Sequence, residues 1–141
     1  MRLAAFAILP ITLAVFAGPA LAGPAADLAK SRIDTIAKGD VAAILSGYAG
    51  SAALHWVGGP LDGTYASPDR LKEVWTKFTT AQGPQTVGIA TVSEAANPKG
   101  ATVAADMTLT GRATVKVRYV MVYRDGKLVD EIWQVNPNAS Y

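Results

Sequence analysis

One histidine and two adjacent carboxylates are the side chains of this sequence that are best suited to acid–base chemistry. His55 is the only histidine in the chain and is followed directly by Trp56, while Asp130 and Glu131 lie side by side near the C-terminal end. An imidazole can accept a proton near neutral pH, and a carboxylate on an apolar surface must find a partner or take up a proton. His55, Asp130 and Glu131 are therefore the candidate catalytic residues.

The composition argues against several other kinds of site. The chain has no cysteine, which excludes thiol nucleophiles and thiolate metal sites, and a single histidine disfavours the usual zinc and iron sites. We therefore expect neither a metal nor a cofactor. The formal net charge of +2 gives no electrostatic reason to expect nucleic acid or an anionic membrane as a partner.

The first 22 residues have the layout of a secretory signal peptide. Arg2 supplies a positive charge, an apolar run covers 3–18, and Ala20 and Ala22 form a small-residue cleavage site. A membrane anchor is the alternative, but the run is short for a span and ends in Gly-Pro. We expect cleavage after Ala22 and a secreted or periplasmic protein. No later apolar stretch reaches the length of a membrane span, so no membrane partner is expected after cleavage.

The rest of the chain is expected to form one α+β domain over residues 23–137, followed by a flexible tail at 138–141. Helical patterns come first and strand patterns second, an order typical of helices packed on a mostly antiparallel sheet. The three predicted helices cover 24–40, 41–49 and 68–81. Asp40 and Ser67 are placed to cap the second and third of them. A short strand at 51–57 and a loop rich in glycine and proline at 58–65 precede the third helix.

From residue 85 onward the apolar period changes to two, which predicts four strands. Asp125-Gly126 is a strong signal for a two-residue hairpin turn between the last two strands. A regular ladder from that turn places Asp130 and Ile132 on the same face as Tyr119 and Met121, and we expect this apolar face to meet the helices. Glu131 then lies on the opposite face. A register slipped by one residue would exchange the two carboxylates, so both remain candidates.

Two segments resemble a known superfamily. AKGDVAAILSGYAGSAALHWVGGPLDGTY (37–65) and VYRDGKLVDEIWQV (122–135) are similar to the helix–strand–loop pattern and the hairpin of the nuclear transport factor 2-like superfamily, and of its SnoaL-like branch in particular. The resemblance implies a curved, mostly antiparallel sheet wrapped around about three N-terminal helices, a cystatin-like cone with an apolar pocket. It also implies homodimers through the outer sheet face.

The superfamily includes ketosteroid isomerases, epoxide hydrolases, polyketide cyclases, dehydratases and non-enzymatic modules, so the fold does not fix a reaction. Alignment on Gly39-Asp40 places the base of the ketosteroid isomerases at Trp56, its neighbouring acid at His55 and the tyrosine that donates to the oxyanion at Arg32. Because the base and the tyrosine are replaced, ketosteroid isomerase activity is not expected. Trp56 at the position of the base resembles a pocket wall.

The sequence therefore supports three hypotheses about function. The first is a SnoaL-like envelope protein that binds a small apolar molecule, with no reaction assigned, in a pocket lined by Trp56, Trp75, Tyr119, Met121 and Ile132. The second is a cofactor-independent isomerase, dehydratase, cyclase or hydrolase in which His55 works with Asp130 or Glu131. The third is a non-enzymatic dimerising module. The sequence alone does not decide whether the protein is an enzyme.

Overall fold

The computed structural model describes residues 23–141, so the expected signal peptide at 1–22 lies outside the described residues. Three helices pack on one face of a single sheet; they are α1 (Pro24–Lys38), α2 (Val41–Ser46) and α3 (Pro68–Gln82). The predicted caps are present. The side chain of Asp40 accepts a hydrogen bond from the backbone of Ala43 at 3.0 Å, and that of Ser67 accepts one from Arg70 at 3.3 Å. These bonds satisfy N–H groups that a helix leaves unpaired at its start. None of the helices in the described part is long and apolar enough to cross a membrane.

Six strands form one curved, open sheet. They are β1 (Tyr48–Val57), β2 (Gly63–Tyr65), β3 (Thr86–Asn97), β4 (Gly100–Thr110), β5 (Thr114–Arg124) and β6 (Lys127–Val135). Their order across the sheet is β2-β1-β6-β5-β4-β3; β1 runs parallel to β6, and the other neighbours are antiparallel. The predicted α+β class, with helices first and a mostly antiparallel sheet wrapped around them, is confirmed.

The second helix is shorter than its pattern predicts. It ends at Ser46, and Tyr48 already begins β1, whereas the sequence pattern extends the helix to Ala49. Tertiary pairing overrides local propensity here, because Tyr48 pairs with Leu128 of β6. The glycine-rich segment predicted as a loop also contributes β2, which pairs with β1 at the edge of the sheet.

The β5–β6 hairpin contains one residue more than a regular ladder allows. Asp125 and Gly126 have φ angles of 50° and 72°, as a type I′ turn requires, and Tyr123 pairs with Leu128 as predicted. Val122, however, pairs with Asp130. Val129 is therefore an extra residue, a β-bulge, and every later residue of β6 changes face relative to the regular ladder.

This bulge corrects the predicted faces of β6. Glu131 and Trp133 point toward the helices and are 1% and 0% exposed, while Ile132 lies on the outer face and is 40% exposed. The expectation that Asp130 and Ile132 face the interior is therefore wrong. The alternative in which the two carboxylates exchange faces is correct, although its cause is the bulge and not a slipped turn.

Candidate functional site

Five side chains from five elements form a buried polar cluster between the helices and the sheet. Arg32 comes from α1, Tyr48 from β1, Trp75 from α3, Tyr119 from β5 and Glu131 from β6. We call this set the Arg32 cluster. The side chains of Arg32 and Glu131 are only 6% and 0% exposed, so a cation and an anion are held away from water. Such groups are tolerated only when they are paired and hydrogen-bonded.

The hydrogen bonds within the cluster use both oxygens of Glu131. Arg32 approaches this carboxylate at 3.2–3.3 Å through Nε and Nη2, and the hydroxyl groups of Tyr48 and Tyr119 donate to Oε1 and Oε2. Nε of Arg32 also donates to the Tyr119 hydroxyl at 2.5 Å, and Trp75 Nε1 donates to the Tyr48 hydroxyl at 2.6 Å. Both oxygens of Glu131 are thus occupied by donors that come from three different elements.

Burial and charge keep the two tyrosines protonated. Burial raises the pKa of Tyr48 and of Tyr119 well above the usual value, and the negative charge of Glu131 raises both further, against the opposing effect of Arg32. Both hydroxyl groups therefore act as neutral donors to Glu131 over the physiological pH range. The cluster is a structural network in which each member satisfies another.

An aromatic cluster centred on Trp133 fills the space beside these polar groups. The ring centroid of Trp133 lies 5.1 Å from Trp56, 5.3 Å from Trp75, 5.4 Å from Phe78 and 5.0 Å from Tyr119. These are the spacings of rings in direct contact. Met121 is also fully buried. Four of the five predicted pocket residues, all except Ile132, therefore lie in the interior, where their own side chains occupy the region expected to hold a ligand.

The structure brings His55 and Asp130 together on the outer face of the sheet. His55 Nε2 lies 3.2 Å from Asp130 Oδ1, and the two side chains are 43% and 49% exposed. His55 Nδ1 lies 3.3 Å from the hydroxyl group of Thr64 on β2. Glu131 points the opposite way from the same strand. The predicted acid–base set is thus divided between an exposed His55–Asp130 pair and a buried Glu131.

Four clefts of 180–280 Å³ lie on the surface of the described part of the chain. None of the four is lined by His55, Asp130 or Glu131, or by Trp56, Trp75, Tyr119 or Met121. The largest has Arg32 in its wall, and a smaller one on the other side of the cluster is lined by Tyr48. Two of these four clefts therefore touch the polar cluster, and none of the four enters the aromatic interior.

Sequence reasoning did not identify Arg32 and Trp133 as central residues. Arg32 carried a usable signal, because it lies on the apolar stripe of α1 beside Ile33, three and seven residues after Ala29 and Ala25. A cation on such a stripe needs a buried anion. Trp133 lies two residues after Glu131, so a regular ladder without the bulge places it on the outer face as well. Within residues 23–141 no group of three His, Cys, Asp or Glu side chains could hold a metal ion.

Comparisons with known proteins identify the fold. Neither a protein-family model nor a curated protein matches the sequence. Among solved structures, a chain described as a calcium/calmodulin-dependent protein kinase II association domain, from Xanthomonas campestris, is 20% identical; the match covers 83% of this chain and 91% of that one, with a TM-score of 0.68. An NTF2-like protein of unknown function from Pseudomonas putida KT2440 is 15% identical, with 81% and 85% covered and a TM-score of 0.66.

A third structure, a ketosteroid isomerase-like protein from Erwinia carotovora atroseptica SCRI1043, is 15% identical over 77% of this chain and 91% of that one, with a TM-score of 0.60. This chain has the nuclear transport factor 2-like (NTF2-like) fold. The expected fold is therefore confirmed. Identities this low carry the fold alone, so activity has to be argued from the residues of this chain.

Proposed function

We propose that the protein is a non-catalytic NTF2-like module that works as a homodimer, with two copies meeting through the outer face of their sheets. One observation carries the proposal: the outer face has an apolar centre bordered by a His–Asp contact on one side and an Arg–Asp ion pair on the other. The interior adds support, because the aromatic side chains beside Glu131 contact one another and His55 lies on the outer face, so the predicted acid–base residues do not meet in one pocket.

The apolar centre of the outer face comes from neighbouring strands in register. Ile132 pairs with Val120, and Val120 with Ala104 on the next strand. Val122 lies one step along the same face. Ile132 is 40% exposed, which is unusual for a large apolar side chain at the centre of a sheet. Covering these residues with a second copy would remove apolar surface from water, which favours association.

Charged pairs flank this centre on two sides. The His55–Asp130 pair borders it toward β1, and Arg118 Nη1 lies 3.2 Å from Asp106 Oδ1 toward β4. The Arg118–Asp106 pair contains both signs, so this side of the face presents no net charge to a second copy. An apolar centre with a polar rim is the usual anatomy of an interface, and a two-fold dimer uses the same patch twice.

The experiment compares two exposed apolar residues on opposite sides of the molecule. Ile132 on the outer face and Leu28 on α1 are 40% and 42% exposed. The wild-type protein should have the mass of two chains by light scattering after size-exclusion chromatography. Ile132→Glu should have the mass of one chain, and Leu28→Glu should remain a dimer. A monomeric wild type, or a dimer that survives Ile132→Glu with unchanged concentration dependence, would exclude this interface.

A second candidate function is binding of a small apolar molecule in the interior, and one atom favours it. Nε1 of Trp133 is buried and has no hydrogen-bond partner among the described residues. An apolar ligand with one acceptor could satisfy this donor if the aromatic rings separated to admit it. Tryptophan fluorescence should then change on ligand binding in the wild type, and Trp133→Phe should weaken that binding. Titration of an apolar ligand library without any spectral response would count against interior binding.

Export from the cytoplasm is part of the proposal. The first turn of α1 is held from within residues 23–141, because the backbone N–H of Ala26 donates to Glu94 on β3 at 2.7 Å. Cleavage after Ala22 would leave this turn intact. Mass spectrometry of the protein recovered from the periplasm or medium of a bacterial host should give a chain that begins at Gly23. Recovery of only the uncleaved chain from the cytoplasm would reject this part of the proposal.

A further inference from the structure

The largest of the four clefts lies between α1, the end of α2 and the β5–β6 hairpin. It has a volume of about 280 Å³, and its lining includes Leu28, Ser31, Arg32, Gly47, Tyr123 and Gly126. We infer that this cleft binds a small carboxylate with a short apolar body, the carboxylate on Arg32 and the apolar body against Leu28 and Tyr123. We call it the Arg32 cleft. The site does not depend on the proposed dimer.

The guanidinium group has one donor position available toward the cleft. Its Nε and Nη2 atoms are engaged by Tyr119 and Glu131, while Nη1 donates one hydrogen bond, to the carbonyl oxygen of Ile44 at 2.9 Å. Nη1 carries two N–H bonds, and the second has no acceptor among the described residues. The contacts of the other two nitrogen atoms hold the group in place. A ligand oxygen would therefore meet a fixed, charged donor, which is the stronger kind of hydrogen bond.

Gly47 opens the path to this donor. Its φ and ψ angles of −78° and −14° are available to any residue, so its backbone conformation does not require glycine. A Cβ atom built at this position would lie 3.3 Å from Nη1 of Arg32, a tighter approach than ordinary van der Waals contact. The missing side chain thus leaves the guanidinium group reachable from the cleft.

The charges around the cleft favour an anion. No acidic side chain of the described residues lines it, and the Glu131 carboxylate that neutralises Arg32 lies behind the guanidinium group. A second cation stands at the rim, where Lys127 Nζ donates to the carbonyl oxygen of Ser46 at 3.1 Å. A carboxylate in the cleft would have Arg32 in front of it and Lys127 beside it, whereas the nearest acidic lining residues, Glu94 and Asp125, belong to the neighbouring cleft.

The apolar part of the ligand is inferred from the adjoining surface. Leu28, Tyr123 and Gly126 also line a neighbouring cleft of about 250 Å³, together with apolar residues that include Ala25 and Ala101 and with the acidic residues Glu94 and Asp125. Leu28 is 42% exposed, although it lies between two concave surfaces that a ligand could fill. A short aliphatic or aromatic body that continues from the carboxylate would cover this side chain and gain hydrophobic stabilisation.

The test uses sodium hexanoate as the probe and 1-hexanol as the uncharged control. In a ¹H–¹⁵N NMR titration, hexanoate should shift the amide signals of Ser31, Gly47 and Gly126, and hexanol should bind about tenfold more weakly because it cannot pair with Arg32 as an anion. Gly47→Ala should reduce hexanoate affinity by about tenfold or more, since the added methyl group blocks Nη1. Gly50→Ala is the matched control, because a Cβ atom there meets no atom within 4 Å.

These variants keep Arg32 itself, so that loss of binding is not confused with loss of folding. Lys127→Gln should weaken hexanoate binding by a smaller factor and reduce its dependence on salt. The inference is overturned if hexanoate produces no shifts at these amides, if hexanol binds as well as hexanoate, or if Gly47→Ala binds hexanoate as tightly as Gly50→Ala does.

Discussion

Asp130 and Glu131 are adjacent carboxylates on the same strand, and they lie in opposite environments. Glu131 is 1% exposed and contacts the side chains of Arg32, Tyr48 and Tyr119, which come from three other elements. The side chain of Asp130 is 49% exposed and faces His55 on the neighbouring strand. Glu131 therefore connects elements of the fold, whereas Asp130 lies on a surface that is exposed to water.

The difference shows what a buried pair and an exposed pair each require of the rest of the chain. A buried pair costs so much desolvation that most of its hydrogen-bonding positions need partners, which ties α1, β1, β5 and β6 to one another. An exposed pair needs only a suitable register between two strands, and solvent screens it. We therefore expect Glu131 to determine stability, while Asp130 is available for function at the outer face.

The largest expected effect separates the two acids directly. Glu131→Gln removes the negative charge and leaves Arg32 buried without compensation, so it should lower the free energy of unfolding by about 3–5 kcal/mol. Asp130→Asn, the same chemical change one residue earlier, should lower it by no more than about 1 kcal/mol. Urea unfolding followed by circular dichroism, at one protein concentration for all variants, measures both. Equal effects would mean that the two environments do not differ as the structure indicates.

A double variant tests whether the cost comes from the unpaired charge. Arg32→Met combined with Glu131→Leu removes both ions and supplies apolar side chains of similar size. Replacing a buried pair in this way is often nearly neutral, so the double variant should be more stable than Glu131→Gln alone. If the double variant is less stable than Glu131→Gln, the cost does not come from the unpaired charge. It would then come from the hydroxyl groups of Tyr48 and Tyr119, which lose their acceptor.

Alkaline pH should also distinguish Glu131 from Asp130, with an effect of intermediate size, because tyrosines surround only the buried Glu131. Burial and the charge of Glu131 raise the pKa of Tyr48, and burial raises the pKa of Tyr123 to about 12. The unfolded chain therefore loses these protons first. The linked stability is complete below about pH 10 and declines as pH rises toward the folded values, by about 1–3 kcal/mol between pH 10 and 12.

Tyr48→Phe supplies the control for this pH dependence. It should be less stable than the wild type at pH 7, because Glu131 and Trp75 each lose a partner, by about 1–3 kcal/mol. Its stability should fall less steeply above pH 10, since one of the titrating groups is gone. Urea midpoints measured at several pH values compare the two slopes, and parallel curves would show that Tyr48 does not contribute to the alkaline loss.

Local signals were sufficient to predict most of the fold. Asp40 and Ser67 cap the helices that their positions predicted, and Asp125-Gly126 forms the expected hairpin turn. Each of these features depends on residues close together in sequence. The bulge at Val129 could not be foreseen in this way, because valine has no preference that marks a bulge and the extra residue is defined only against its partner strand.

The candidate site was harder to predict, because it is built from distant parts of the chain. Arg32 and Glu131 are 99 residues apart in sequence. Their pairing depends on the parallel contact of β1 with β6 and on the bulge that turns Glu131 inward. The sequence left open whether His55 lies beside Asp130 or Glu131, and the neighbour and the face on which they meet both followed from the same unpredicted bulge. The one-residue shift at the bulge thus decides which side chains of β6 lie in the interior and which lie on the outer face.

The smallest expected effect concerns the exposed pair itself. A double-mutant cycle with His55→Ala and Asp130→Ala should give a coupling energy of less than about 1 kcal/mol, because both side chains are more than two-fifths exposed and water competes for each. Added salt should reduce this coupling toward zero, whereas the Arg32 cluster should respond little. The cycle should be measured at a protein concentration low enough for the proposed dimer to dissociate, because Ile132 pairs directly with His55 and an acidic residue there would disturb the coupling. A coupling above about 2 kcal/mol in the isolated chain would mean that the outer face already holds this pair rigidly, so that it would belong with Glu131 among the groups that determine stability.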